Sequence, residues 1–221
     1  MTVYSEDNYL NDLLKFELDN YHSREAVTVL SGESVVMGEV IGKVTKDIPE
    51  TGTADGDNTG TGDMTGVDGG DAVKLGTYTV TCVDDSEAGS EEWEVKDPDG
   101  ATLPEAKTGD EFDNEQISFT INQDGEGTDF AKDDKFTITV EEGSGKAVPI
   151  DFTAVDGSQE AYGIMIEACD ASEEDADGLA IVRDAQIVAD YLTWPDGASD
   201  DQKAAALAQL KEKGIVTRDE A

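Results

Sequence analysis

The sequence predicts a mainly β protein: a small barrel-like β unit with one C-terminal helix, plus a second β module spaced like a small sandwich. Three observations carry this. Short alternating or branched apolar runs recur along most of the 221 residues, with Tyr78–Val83, Ile117–Ile121 and Phe136–Val140 as examples. Glycine and Pro-Asp-Gly punctuation separates those runs. Only the stretch after Trp194-Pro195-Asp196-Gly197 carries the full set of helix signals.

Taken in order, residues 1–22 look like an arm, in which Leu14, Phe16 and Leu18 alternate with Lys15, Glu17 and Asp19 as in a strand. Tyr9, Leu10 and Leu13 precede them without an obvious core of their own, so the arm either packs on its own domain or adds to a neighbouring sheet. Residues 23–47 alternate apolar and polar around Gly32, Gly38 and Gly42, which suits short strands bending in a small barrel. Residues 48–71 hold almost no large apolar side chains from Pro49 to Asp71 and read as a flexible acidic linker rich in Gly, Asp and Thr. Within it Asp55, Asp57 and Asn58, with Gly56, resemble part of a calcium loop. The twelfth position holds Gly66 instead of glutamate, so a solvated acidic loop is favoured and no metal is expected.

Residues 72–145 read as an all-β domain. Tyr78–Val83, Trp93–Lys96, Ile117–Ile121 and Phe136–Val140 supply strands, and Asp97-Pro98-Asp99-Gly100 a tight turn. The spacing is immunoglobulin-like, although no Cys…Trp…Cys pattern supports a true immunoglobulin domain. Residues 146–221 return to the first unit, with Tyr162, Ile164 and Ile166 alternating and an acidic loop over Asp170–Gly178. Leu179–Val182 and Ala185–Val188 are two strands broken by Arg183-Asp184. Ser199 and Gln202 then form a capping box, Asp200 and Asp201 occupy the first turn, Lys211 and Lys213 the last, and Gly214 stops the helix.

Lys and Arg number 15 against 52 Asp and Glu, a formal net charge of −37. Repeated apolar patterning argues against disorder as the reason, leaving a folded acidic surface of the kind found in proteins adapted to high salt. Phosphate contacts need clustered cations, so nucleic acid is not an expected partner. MTVYSEDNYL has neither a basic n-region nor an apolar h-region, so no signal peptide is expected, and no run reaches the roughly 18–20 apolar residues that span a bilayer. Cys82 and Cys169 lie far apart in sequence; a disulfide is compatible with the sequence, but buried free thiols are favoured.

Catalytic motifs of the G-x-S-x-G, G-x-x-x-x-G-K and H-E-x-x-H types do not occur, and the lone His22 has no partner at ligand spacing. With 52 acidic residues no carboxylate pair is informative, and Asp133-Asp134, Glu141-Glu142 and Glu173-Glu174-Asp175 read as solvated faces. No enzyme and no cofactor are expected. Arg183-Asp184 is either a local ion pair or a subunit contact, and Trp194-Pro195 either a cap on the helix core or part of that contact.

Five segments, in order, resemble a known family. They are Ser23–Val29 with Ser31-Gly32; Gly38–Thr45; Val148–Asp151 with Asp156–Ser158 and Ala161–Ile164; Ala180–Ala185 with Ile187-Val188; and Leu192–Ala198 running on through Gln202–Leu210 to Gly214–Arg218. Together they resemble the head decoration (capsid cement) proteins of tailed phages. The resemblance implies a β-tulip-like decoration scaffold formed by 23–47 and 146–221, trimers on the outer surface of the virion, and synthesis in the host cytoplasm. It implies the major capsid protein and further copies of the chain as partners. It also raises Tyr9, Leu10, Leu13, Leu14, Phe16 and Leu18 as a capsid-binding arm, and Arg183, Asp184, Trp194 and Pro195 as a trimer interface. The match stops near Thr45 and resumes near Lys146, as expected for a β domain inserted in an exposed loop, where added length costs little closure entropy. The other reading is an acidic, surface-exposed adhesin-like β protein of a halophilic or marine organism, which would need a secretion signal.

Overall fold

The computed structural model describes residues 9–218. The chain divides into two compact units: one takes the chain up to Thr45 and from Ser144 onward, the other is Lys46–Gly143.

The first unit is built on a closed barrel of five short strands, in the order Ala147–Pro149, Arg24–Val29, Ala176–Ile181, Gly163–Met165 and Val40–Lys43. Ala147 closes the ring by pairing with Val29 in parallel and Lys43 antiparallel. Small and branched side chains suit so tight a ring, and Val27, Val29, Ile41, Ala147, Met165 and Ala180 form one buried cluster. Where the sequence suggested an acidic loop over Asp170–Gly178, the structure has strands at both ends: Cys169–Ala171 pairs antiparallel with the remote Glu33–Val35, and Ala176 already belongs to the barrel. Period-two burial of Cys169 and Ala171 around exposed Asp170 explains it; two small apolar residues suffice on so short a strand.

Beside the barrel, Leu14–Glu17, Ala185–Val188 and Ile215–Arg218 form a three-stranded sheet. Its inner face supplies Ala185, Ile187 and Ile215 to a core shared with Leu13 and with Ala206 and Leu210 of the Asp200–Glu212 helix. Both halves of the Ser199–Gln202 capping box are formed, and Gly214, at φ 79°, lets the chain turn directly into the last strand.

The second unit has two antiparallel sheets around one core. One sheet runs Ala106–Lys107, Glu92–Lys96, Gly76–Asp84, Lys135–Glu142, Lys46–Asp47, with Thr53–Ala54 also on Lys135–Glu142; the other runs Glu111–Asp113, Ile117–Asn122, Asp63–Gly69. Alternation in Gly76–Asp84 turns Tyr78, Val80 and Cys82 inward, all fully buried. Trp93 sits centrally, its ring edge-on to Phe130 at 5.0 Å and its indole N–H donating to Thr108 Oγ1 at 2.9 Å. In the Asp97–Gly100 turn the Gly100 N–H donates to the Asp97 carbonyl. The buried Asp97 carboxylate accepts from Lys74 Nζ at 2.6 Å, which holds its pKa down at about 2. Cys82 and Cys169 are both buried and unbridged, and burial pushes the Cys82 thiol up to about 11.

The expected flexible linker over 48–71 is corrected. Asp63–Gly69 is a strand on Ile117–Asn122 that buries Met64 and Val67, and Ile48 packs against the same core. Main-chain bonds order the rest: Gly52 N–H donates to Met64 O, and Val67 N–H to Glu50 O. Asp134, expected to be solvated, is instead buried, and its carboxylate accepts from the N–H groups of Thr59, Gly60 and Ala131. Gly60 and Gly62 lie so close against Phe130 that a Cβ would meet its ring at 2.3 and 2.5 Å. The glycines that suggested looseness in the sequence are what let the backbone dock.

Candidate functional site

The structure sorts the six arm residues into two groups. Residues 1–8 of the expected arm lie outside the described residues. From Leu10 onward the chain folds onto its own unit: Leu10–Leu13 is a helical turn, and Leu14–Glu17 pairs antiparallel with Ala185–Val188. Leu13 is 1% exposed inside the core, with Leu10 and Leu14 packed against it, so these three are core residues rather than a free grip. A bulge between Leu14 and Phe16 shifts the register and breaks the inward alternation expected from sequence. Phe16 is consequently 52% exposed, Leu18 63% and Tyr9 68%.

Phe16 and Leu18 do not stand alone. Phe16 is paired across the sheet with Gln186, and Gln186 with Val216, which is 42% exposed. Leu18 extends the same edge, its N–H donating to the Asp184 carbonyl. Together they line a cavity of about 170 Å³ with Asp184, Ala185 and Gly214. The sheet therefore has one face in the core and one toward solvent on which Phe16, Leu18 and Val216 flank Gln186 and Asp184. Val216 and Gln186 were missed in the sequence, although Val216 lies between buried Ile215 and half-buried Thr217, a period-two signal in the last strand.

Arg183 and Asp184 do not pair with each other. Arg183 donates to the His22 carbonyl at 2.6 Å and to Glu25 Oε2 at 2.9 Å. Asp184, at φ 45°, instead meets His22 Nε2 at 2.9 Å. A left-handed residue after Arg183 turns the two side chains apart, so they meet different groups of His22 and only Arg183 reaches Glu25. Glu25 also accepts from the Tyr162 hydroxyl at 2.5 Å, and this bond, more than the cations near it, holds its pKa below the usual carboxylate range. Lys43 Nζ lies 3.8 Å from the Tyr162 ring centre and Lys213 Nζ 4.8 Å. Lys213 also donates to the carbonyls of Ala161 and Tyr162, and burial pulls its ammonium pKa down.

Trp194 and Pro195 are half-buried, with Trp194 stacked on Phe152 at 6.3 Å against the helix core. The linker aspartates are not gathered. Asp55 accepts from the Asp57 N–H, while the Asn58 amide is spent on both main-chain groups of Lys135. Among the described residues no cluster of three or more His, Cys, Asp or Glu could hold a metal ion. Nor is any described helix long and apolar enough to cross a membrane. The exposed sheet face offers apolar area on a rigid sheet, which suits binding to another surface.

The sequence model of the family described as bacteriophage lambda head decoration protein D matches residues 3–215, nearly the whole chain. No curated protein matches. Two crystal forms of Xanthomonas campestris FlgL, in space groups H3 and C2, match at 19% and 20% identity over 55% of this chain, each with a TM-score of 0.31. The chain spans about a third of their length, 36% and 35%, and so low a score carries no argument about fold or role.

Proposed function

The chain belongs to the bacteriophage lambda head decoration protein family, and from that premise we propose that it binds the outer surface of a tailed-phage capsid as a trimer and braces the expanded, DNA-filled head. The family is structural and carries out no reaction. Its mechanism here is linked binding: a ligand that prefers the expanded shell stabilises that state.

The observation that supports the capsid contact best is the solvent-facing apolar side of the Leu14–Glu17, Ala185–Val188, Ile215–Arg218 sheet. Phe16, Leu18 and Val216 are 52%, 63% and 42% exposed there. Fully burying such a side chain contributes about 1.5–3 kcal/mol, so from half-covered starting points each adds roughly 1 kcal/mol. Three such faces on one trimer make attachment multivalent, and modest single contacts then hold firmly. Tyr9, exposed on the same arm, extends the contact. At −37 the chain is repelled by packaged DNA, which favours the outer side of the shell. The acidic surface suits concentrated salt, where screening weakens repulsion between neighbouring copies.

Within this reading Lys46–Gly143 is a module set into a decoration scaffold, and the subunit contact lies on the Arg183 side of the first unit. Purified virions test the proposal: this chain is expected at a copy number near that of the shell protein. Its absence from washed particles would refute the reading.

A further inference from the structure

The cations of this chain are scarce, 15 among 221 residues, and three of them gather around the hydrogen-bonded pair Tyr162–Glu25. Lys43 and Lys213 stand over the Tyr162 ring, and Arg183 reaches the carboxylate that Tyr162 also holds. Facing them is Glu25, in ion-pair contact with Lys43 at 3.5 Å and Arg183 at 2.9 Å, with Glu160 acting on Lys213 from further away. Three cations thus share two carboxylates, in a chain where acids otherwise outnumber bases by more than three to one.

Donor bookkeeping shows what is left over. An ammonium has three N–H groups and a guanidinium five. Lys213 spends two on the carbonyls of Ala161 and Tyr162, and Arg183 spends two on His22 and Glu25. Lys43 makes a cation–π contact and one long ion pair, with its side chain 25% exposed; Arg183 is 39% exposed. Donors therefore remain at the surface, fixed in place by Tyr162 and the barrel strands beneath.

We propose that the Lys43–Tyr162–Lys213–Arg183 surface is a subunit contact that receives carboxylates from the acidic face of a second copy of this chain. The inference rests on the trimer reading above and names the surface that would hold it. Copies at −37 each repel one another, and a trimer triples the charge in one particle. Contacts between such copies must set unlike charges against each other, and on this surface three cations held close together face two carboxylates, with N–H groups left over. In a cyclic trimer each copy offers one face to the neighbour's different face, so a cationic patch can meet an acidic one three times over. Prealigned cations add orientation and suppress wrong docking as well as adding attraction.

Sedimentation velocity on the full chain across a concentration series tests this, with Lys43→Glu, Lys43→Gln and Lys43→Arg beside the wild type. Lys132→Glu, exposed in the other unit, is the control with the same change in net charge as Lys43→Glu. Circular dichroism of each variant checks that the fold is kept; Lys43→Gln, which retains most of the side-chain stem, serves if Lys43→Glu does not fold. We expect the trimer dissociation constant to rise at least tenfold for Lys43→Glu and about threefold for Lys43→Gln. Lys43→Arg and Lys132→Glu should stay within twofold. Equal effects of Lys43→Glu and Lys132→Glu on a wild-type trimer would overturn the proposed surface alone. A wild type that stays monomeric would overturn the trimer reading itself.

Discussion

The two units solve the same problem, burying enough apolar surface in a chain of −37, by different means. Lys46–Gly143 is one continuous segment whose core is a single cluster, with Tyr78, Trp93, Phe112, Phe119, Phe130 and Phe136 at its heart. The other unit joins two remote segments, and its buried residues fall into two clusters made almost wholly of aliphatic side chains. Large aromatic rings bury much area per residue, so a continuous strand set can hold itself together. A barrel of short strands with valine and alanine inside gains less per residue and depends on loop closure between distant segments. The economical unit is also the one that leaves an apolar sheet face uncovered. The difference teaches that the exposed face is not spare core: its removal should cost little stability and much binding.

That comparison can be broken most directly at Trp93. Replacing it with alanine should cost the second unit about 3–5 kcal/mol, seen in calorimetry as one transition moving down while the other stays. If both transitions move together, the units are not independent. The first unit offers a sharper contrast within four residues of chain. Leu13→Ala should destabilise it by about 2–5 kcal/mol, whereas Phe16→Ala should stay within about 1 kcal/mol in denaturant titrations. A large stability loss at Phe16 would mean the sheet face is supporting the fold after all. Smaller again is Ser199→Ala, which removes one half of the capping box and should cost the first unit about 1 kcal/mol.

Acid probes the second unit in another way. Asp97 of the second unit is held at about 2 by Lys74, below the ordinary carboxylate value near 4. A depressed carboxylate adds stability that is present above its unfolded value and is lost as pH falls through its folded one. The second unit should therefore lose this contribution between about pH 4 and pH 2. Lys74→Met should flatten that part of its melting-temperature profile; an unchanged slope would remove the pair as its cause.

How much of this was legible beforehand follows from where the determinants lie. The Asp200–Glu212 helix was readable because its signals are local: Ser199 and Gln202 sit three residues apart and do form the cap. Strands such as Ile117–Asn122 and Lys135–Glu142 were readable because alternation and burial coincide along them. The stretch Pro49–Asp71 was not, since its order comes from a carboxylate at Asp134 and a ring at Phe130, far along the chain. Alternation misled at Leu14, Phe16 and Leu18, where a bulge that no composition signals turned Phe16 outward. Arg183 stood out in the sequence only beside Asp184; its partner Glu25 is 158 positions away and no spacing rule could reach it.

The central claim is that the first unit grips a capsid through the face carrying Phe16, Leu18 and Val216. Co-sedimentation of the full chain with expanded, undecorated shells tests it, comparing wild type with the Phe16→Asp, Leu18→Asp double variant in concentrated salt. Saturable uptake of the wild type is expected, with a loss of at least tenfold in apparent affinity for the variant while its melting transitions are retained. Equal uptake of both proteins would contradict it.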